Sequence, residues 1–161
     1  MNRLRLTDRS LEALNAARGQ VITGVFVTEP RNRNLKDAPG ILAIALNNGT
    51  VLNLYPTSTP RNEHSPAEYF RLDVEPSTSP LAMEYSRGDP VRWTVADQLM
   101  RALVGDSVRD AEVVREQEND QDIDVGIRLV TVGNSKLYIS AERAGLPMTL
   151  AIELNGKVVT Q

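Results

Sequence analysis

Residues 40–55, GILAIALNNGTVLNLY, decide the fold. Two apolar runs flank Asn47-Asn48-Gly49-Thr50. Leu42, Ile44 and Leu46 alternate along the first run, and Leu52 and Leu54 continue that face after the turn. Asn and Gly both tolerate positive φ, so an Asn-Gly step between alternating runs folds back as a β-hairpin. The stretch has an echo at 126–141, GIRLVTVGNSKLYISA. That echo divides the chain into two similar halves.

Working outward from the hairpin, Thr7 to Arg18 reads as a helix, capped by Thr7 or Asp8, with Leu11 and Leu14 on one face and Gly19 as its left-handed stop. Gln20 to Thr28 is β-rich, and Gly24 inside it predicts a bulge or a close backbone approach. Residues 29–39, EPRNRNLKDAP, form a polar loop. Pro56 to Pro80 holds five of the nine prolines and bridges rather than packs. Within it, Ser65-Pro66-Ala67-Glu68 has the pattern of a helical first turn. Phe70, Leu72 and Val74 alternate with Arg71 and Asp73 as a short half-buried strand. Leu81 to Tyr85 reads as a further strand. Thr94 to Gly105 reads as a second helix with Thr94 and Asp97 in a capping box and Leu99, Met100, Leu103 and Val104 as its stripe. A strand over 107–114, an acidic loop, the echoed hairpin, a strand over 150–154, an Asn155-Gly156 turn and a last strand over 157–160 complete the chain.

The halves align at an offset of 86, which pairs Gly19 with Gly105, Ile22 with Val108, Val25 with Ala111, Val27 with Val113 and Gly40 with Gly126. After the hairpin turn the offset falls to 85, matching Leu52 to Leu137 and Leu54 to Ile139. LAMEY at 81–85 then matches LAIEL at 150–154, which places about 17 extra residues in the Pro-rich bridge. The expected fold is α+β: one compact domain over 1–161, made of pseudo-repeats 7–93 and 94–161. Each is an α-β-β-β-β unit whose antiparallel meander is covered by one helix.

Composition narrows the function classes. The 161 residues are 41% hydrophobic and 24% charged, an ordinary globular balance, and aliphatic side chains must fill a core with only 4% aromatics. There is no cysteine, which excludes disulfides and thiolate chemistry and suits a reducing, cytoplasmic setting. No secretory signal or membrane-span pattern is present. The lone imidazole, His64 in NEHSP, sits in the bridge, and no nucleophile elbow, phosphate loop or paired-His motif accompanies it. Asp120, Asp122 and Asp124 alternate as hard-cation ligands would, but Val125 stands where a calcium loop needs Gly, and Thr131 where it needs an acid. No catalytic residue, cofactor or metal site is therefore assigned.

Charge layout is more informative. Residues 1–36 hold seven basic groups against three acids; residues 106–124 hold eight acids against Arg109 and Arg115. Loops 29–40 and 115–126 would be equivalent positions of opposite sign, suited to steering a protein partner or to head-to-tail association of copies. Arg31, Arg33, Lys36, Tyr69, Asp120, Asp122 and Asp124 are the partner-binding candidates, Tyr69 because Phe70 takes the inward phase of its strand. The expected function is a non-catalytic protein-binding module, of immunity, inhibitor or accessory type. The competing classes are a small-molecule or nucleic-acid binder, and an enzyme with scattered carboxylates. A net charge of −3 and the lack of stacking aromatics near Arg31 weigh against nucleic acid.

Overall fold

A computed structural model describes residues 2–3, 5–28, 40–59, 69–82, 84–86, 89–90, 92–96, 98–118, 120–142 and 149–159. The elements are β1 (Asn2–Arg3), α1 (Asp8–Ala17), β2 (Ile22–Thr28), β3 (Leu42–Leu46), β4 (Val51–Thr59), β5 (Tyr69–Ser77), β6 (Glu84–Ser86), β7 (Asp89–Pro90), β8 (Trp93–Val95), α2 (Gln98–Arg101), β9 (Val108–Glu118), β10 (Gln121–Thr131), β11 (Lys136–Glu142), β12 (Thr149–Leu154) and β13 (Lys157–Val158). Among the described residues they form a six-stranded sheet, β1-β5-β4-β3-β2-β8, a five-stranded sheet, β13-β12-β11-β10-β9, and the small β6-β7 pair. The described residues are mostly antiparallel sheet with one helix of substance, consistent with α+β.

The opening hairpin forms as its pattern requires. Leu42 pairs with Leu54 and Ile44 with Leu52, and Gly49 closes the turn at φ +85. Leu42, Ile44, Leu52 and Leu54 are each at most 1% exposed. The echo does the same with Ile127, Leu129, Leu137 and Ile139, in the register Ile127–Ile139 and Leu129–Leu137. β4 and β5 lie against β11 and β12, and the buried side chains of both sheets form one cluster. Burying each such leucine or isoleucine is worth about 1.5–3 kcal/mol, so this shared face dominates the stability.

The two sheets meet where β2 and β9 begin. Val21 bridges Ser107 antiparallel. Around it, Gly19 N–H donates to the Val108 carbonyl (2.7 Å) and Gly105 N–H to that of Ile22 (2.8 Å). Ile22 N–H donates to Asp106 O (2.8 Å) and Val108 N–H to Gln20 O (2.9 Å). Exchanging residues 19–22 with 105–108 maps this set of bonds onto itself. Gly19 and Gly105 hold φ +82 and +94, which an L side chain resists.

Thr7 caps α1, its hydroxyl accepting from Ser10 N–H at 3.2 Å, and Leu14 and Ala17 bury its inner face. Buried Ser10 receives Val74 N–H (2.9 Å) and donates to Val74 O (3.3 Å), which satisfies the free edge of β5. At its far end Arg18 Nη2 donates to Ala111 O of β9 (2.9 Å), so α1 ties one sheet to the other.

Several expectations are corrected here. The counterpart of β12 is β5, not LAMEY 81–85. Pro56 pairs with Leu72 as Ala141 pairs with Leu150, and Leu54 with Val74 as Ile139 with Ile152. The offset therefore falls only from 85 to 78, and the first half carries seven extra residues between its third and fourth strands rather than about 17. The offset is also already 85 within β3 and β10, where Leu42 faces Leu54 as Ile127 faces Ile139, so Gly126 corresponds to Ile41 and not to Gly40. Thr94 lies in β8, paired with Val27, and does not open a helix. α2 is one turn of four residues, so among the described residues the second sheet has no helical cover comparable to α1; Met100 and Leu103 are buried but Val104 is 44% exposed.

The segment after β5 has its own role. Asn53, fully buried, donates to Glu75 O (2.9 Å) and Ser77 Oγ (2.7 Å) and accepts from Leu81 N–H (3.2 Å). Trp93 Nε1 donates to Leu81 O (3.1 Å). Leu81 and Trp93 are thus tied to the outer face of the first sheet, where Ala43 and Val51 are buried outside the core cluster. No helix among the described residues is long and apolar enough to cross a membrane.

Candidate functional site

The predicted acidic loop is a second correction. Residues 115–124 are paired strand: Arg115 faces Asp124, Glu116 faces Ile123, Gln117 faces Asp122 and Glu118 faces Gln121. β10 pairs with β11 only as far as Ile127–Ile139, so beyond this the two strands continue as a ribbon paired to each other. A bulge at Val125 re-aims the strand at the ribbon's base. Asp120, at the tip, holds φ +63, a conformation aspartate tolerates better than most residues.

Strand alternation and the bulge sort the carboxylates. Asp124 is turned inward, and its side chain has no solvent exposure. It accepts Leu6 N–H at 2.6 Å and Arg115 Nε at 2.7 Å. A buried carboxylate survives only with such partners. Asp124 raises the already high Arg115 pKa, first through that hydrogen bond and then through charge. Glu116, Asp120 and Asp122 are exposed. Glu116 and Asp120 have no ion-pair partner among the described residues, and Asp122 adds only a weaker attraction to Arg115. The ribbon is therefore anchored at its base and negative at its end.

The sequence candidates thus separate. Asp120 and Asp122 come together on the ribbon, whereas Asp124 is a structural anchor. Tyr69 begins β5 opposite Thr59 and Asn2, and its side chain lies outside the description. Arg31, Arg33, Lys36, His64 and the 65–68 turn lie outside the described residues. Sequence reasoning missed Arg115 and Leu6 as partners of Asp124. The former was within reach: pairing Glu118 with Gln121 in RDAEVVREQENDQDIDVG sets Arg115 opposite Asp124.

A second polar group covers the outer face of β4 and β5. Tyr55 Oη donates to Glu75 (2.9 Å), Thr57 Oγ1 donates to Asp73 (2.5 Å), and Arg71 Nε donates to Asp73 (2.9 Å). Burial, then the Glu75 hydrogen bond, pushes the Tyr55 phenol up to about 12. It is a neutral donor at physiological pH, unsuited to act as a base. Asp106 is held below the usual carboxylate range by the Thr131 side chain and by the Gly133 and Ser107 amides, which fixes the β10–β11 turn. Among the described residues no three His, Cys, Asp or Glu side chains are grouped to hold a metal.

No family model matches the chain, and neither a curated protein nor a solved structure matches it.

Proposed function

We propose that the chain is a non-catalytic binding module whose β9–β10 ribbon docks on a basic surface of another protein. One observation carries the reading. The ribbon leaves the sheet as a two-stranded projection anchored at its base, and its exposed Glu116 and Asp120 have no ion-pair partner among the described residues. An isolated ribbon has few contacts to hold it, so the buried Asp124–Leu6–Arg115 node is what keeps it in place. Projected like charge speeds encounter with an opposite surface and repels a second copy of the same ribbon, which favours a different protein over self-association. The cysteine-free sequence suits a reducing, cytoplasmic setting for this encounter.

The proposal extends to the architecture. We infer that the two meanders arose by duplication of one unit. The support is the set of exchangeable hydrogen bonds around Val21 and Ser107 and the shared β-bulge position. β2 skips Thr23 between its pairs with Leu46 and Ala45, as β9 skips Arg109 between its pairs with Thr131 and Val130. In the second unit the corresponding connection, between β9 and β10, forms the ribbon, and the two folded units shared one core as a single domain.

The test is affinity capture from source cells with the wild-type chain and with a Glu116→Gln, Asp120→Asn, Asp122→Asn variant. The expected result is a protein retained by the wild type at low salt, released as salt rises, and lost with the variant. Equal retention by both forms would refute the ribbon as the binding surface.

A further inference from the structure

A cavity of about 320 Å³ opens between α1 and the β3–β4 turn, on a floor that includes Ala17, Leu46 and Leu52. Its origin is legible in the offset between the halves. Ala17 corresponds to Leu103, as Leu14 does to Met100, and all four are buried. The first unit thus carries a side chain three carbons shorter at the position where the second buries Leu103. The rim bears Arg9, Glu12 and Thr50. Arg9 and Glu12 lie one turn apart on α1, so their side chains emerge on the same side of the helix. They make no ion pair with each other. Arg9 instead approaches Glu75 at 3.7 Å, beyond hydrogen-bond distance, so its donors remain open to a ligand. The Glu12 carboxylate and the Thr50 hydroxyl have no partner among the described residues.

We propose that this cavity binds a small zwitterion with a short aliphatic body, an α-amino acid of the leucine or valine kind. The guanidinium of Arg9 receives the carboxylate, Glu12 receives the ammonium group, and the aliphatic side chain enters over Leu46 and Leu52. The volume sits at the lower end of ligand pockets, which suits an amino acid. One cation and one anion at the rim fit a ligand of zero net charge better than a fatty acid or an amine. This site is separate from the ribbon, so its failure says nothing of the binding reading above.

The experiment is amide chemical-shift titration of the full chain with L-leucine, isocaproate, isoamylamine and glycine. Leucine is expected to move the amides of Ala13, Ala16 and Thr50. Each single-charge analogue is expected to bind about tenfold more weakly, since each forfeits a charge-assisted hydrogen bond. Glycine, with no aliphatic group, leaves the spectrum unchanged. Ala16→Leu, at an exposed rim position that tolerates a larger side chain without disturbing the fold, abolishes the leucine shifts. Glu12→Gln weakens leucine but not isocaproate. The proposal is overturned if leucine moves no cavity amide, if isocaproate or isoamylamine binds as well as leucine, or if Ala16→Leu leaves leucine binding intact.

Discussion

Replacing Asp124 with alanine tests the node on which the ribbon stands. The carboxylate accepts two hydrogen bonds, from Leu6 N–H at 2.6 Å and Arg115 Nε at 2.7 Å, with no solvent exposure of its own. Removing it leaves the Leu6 amide buried without an acceptor, which costs about 1–3 kcal/mol. Arg115 is 40% exposed and rehydrates, so the buried Leu6 amide sets the loss. The expected loss is about 1–3 kcal/mol, a fall in Tm of about 2–12 °C for a chain of this size. Asp124→Asn retains one acceptor and loses about half as much. Urea unfolding followed by circular dichroism gives the free energy, and hydrogen exchange at Leu6 reports the node directly. A loss below about 0.5 kcal/mol for Asp124→Ala, the level of an ordinary surface change, would refute the burial argument. So would a Leu6 amide that exchanges no faster than in the wild type.

Other expectations follow from the same geometry. Leu54→Ala and Ile139→Ala, at corresponding positions and both fully buried, should each destabilise by about 2–5 kcal/mol in urea, and by similar amounts. A large cost at one position and little at the other would contradict a shared core. Gly126→Ala places a Cβ 2.5 Å from Ile139 O and 3.0 Å from the Tyr138 ring, and should cost about 1–3 kcal/mol in the same assay. The folded state holds the Tyr55 proton to about 12 against 10.0 ordinarily, so Tyr55 contributes stability below pH 10.0 that is lost as pH rises toward 12. Spectrophotometric titration should find the Tyr55 phenol ionising late, and Glu75→Gln should bring it down; an unchanged midpoint would remove Glu75 from the explanation.

The sequence was most readable where local chemistry and burial agree. The Asn-Gly turn at 48–49, the Thr7 cap and the positive-φ glycines at 19, 105 and 156 all sit as their residue types demand. The fourth strand of the first unit was misplaced for a physical reason. FRLDVEP ends in proline and lies in a Pro- and Ser-rich region that reads as a bridge, yet Pro76 lies beyond the two residues of β5 that pair with β1, where a missing N–H leaves no ladder bond unmade. LAMEY matched LAIEL letter for letter at more positions, but pairing depends on the face that Leu72 and Val74 present to the core. Asp124 escaped for the opposite reason. An acid in a run of acids reads as solvated, and only the bulge at Val125 together with the amide of Leu6, far away in sequence, turns it inward. The second helix was overread because its stripe is real, with Met100 and Leu103 buried, while Thr94 is claimed by β8.

Native-state hydrogen exchange at Gly19, Ile22, Gly105 and Val108 tests the joined architecture most directly. These four amides close the node at which one meander meets the other. They should open only with global unfolding, at one common free energy shared with Ile44 in β3 and Leu129 in β10. Exchange of the 105–108 amides well before the 19–22 amides, or of all four before the strand interiors, would mean that the two sheets do not hold each other as described.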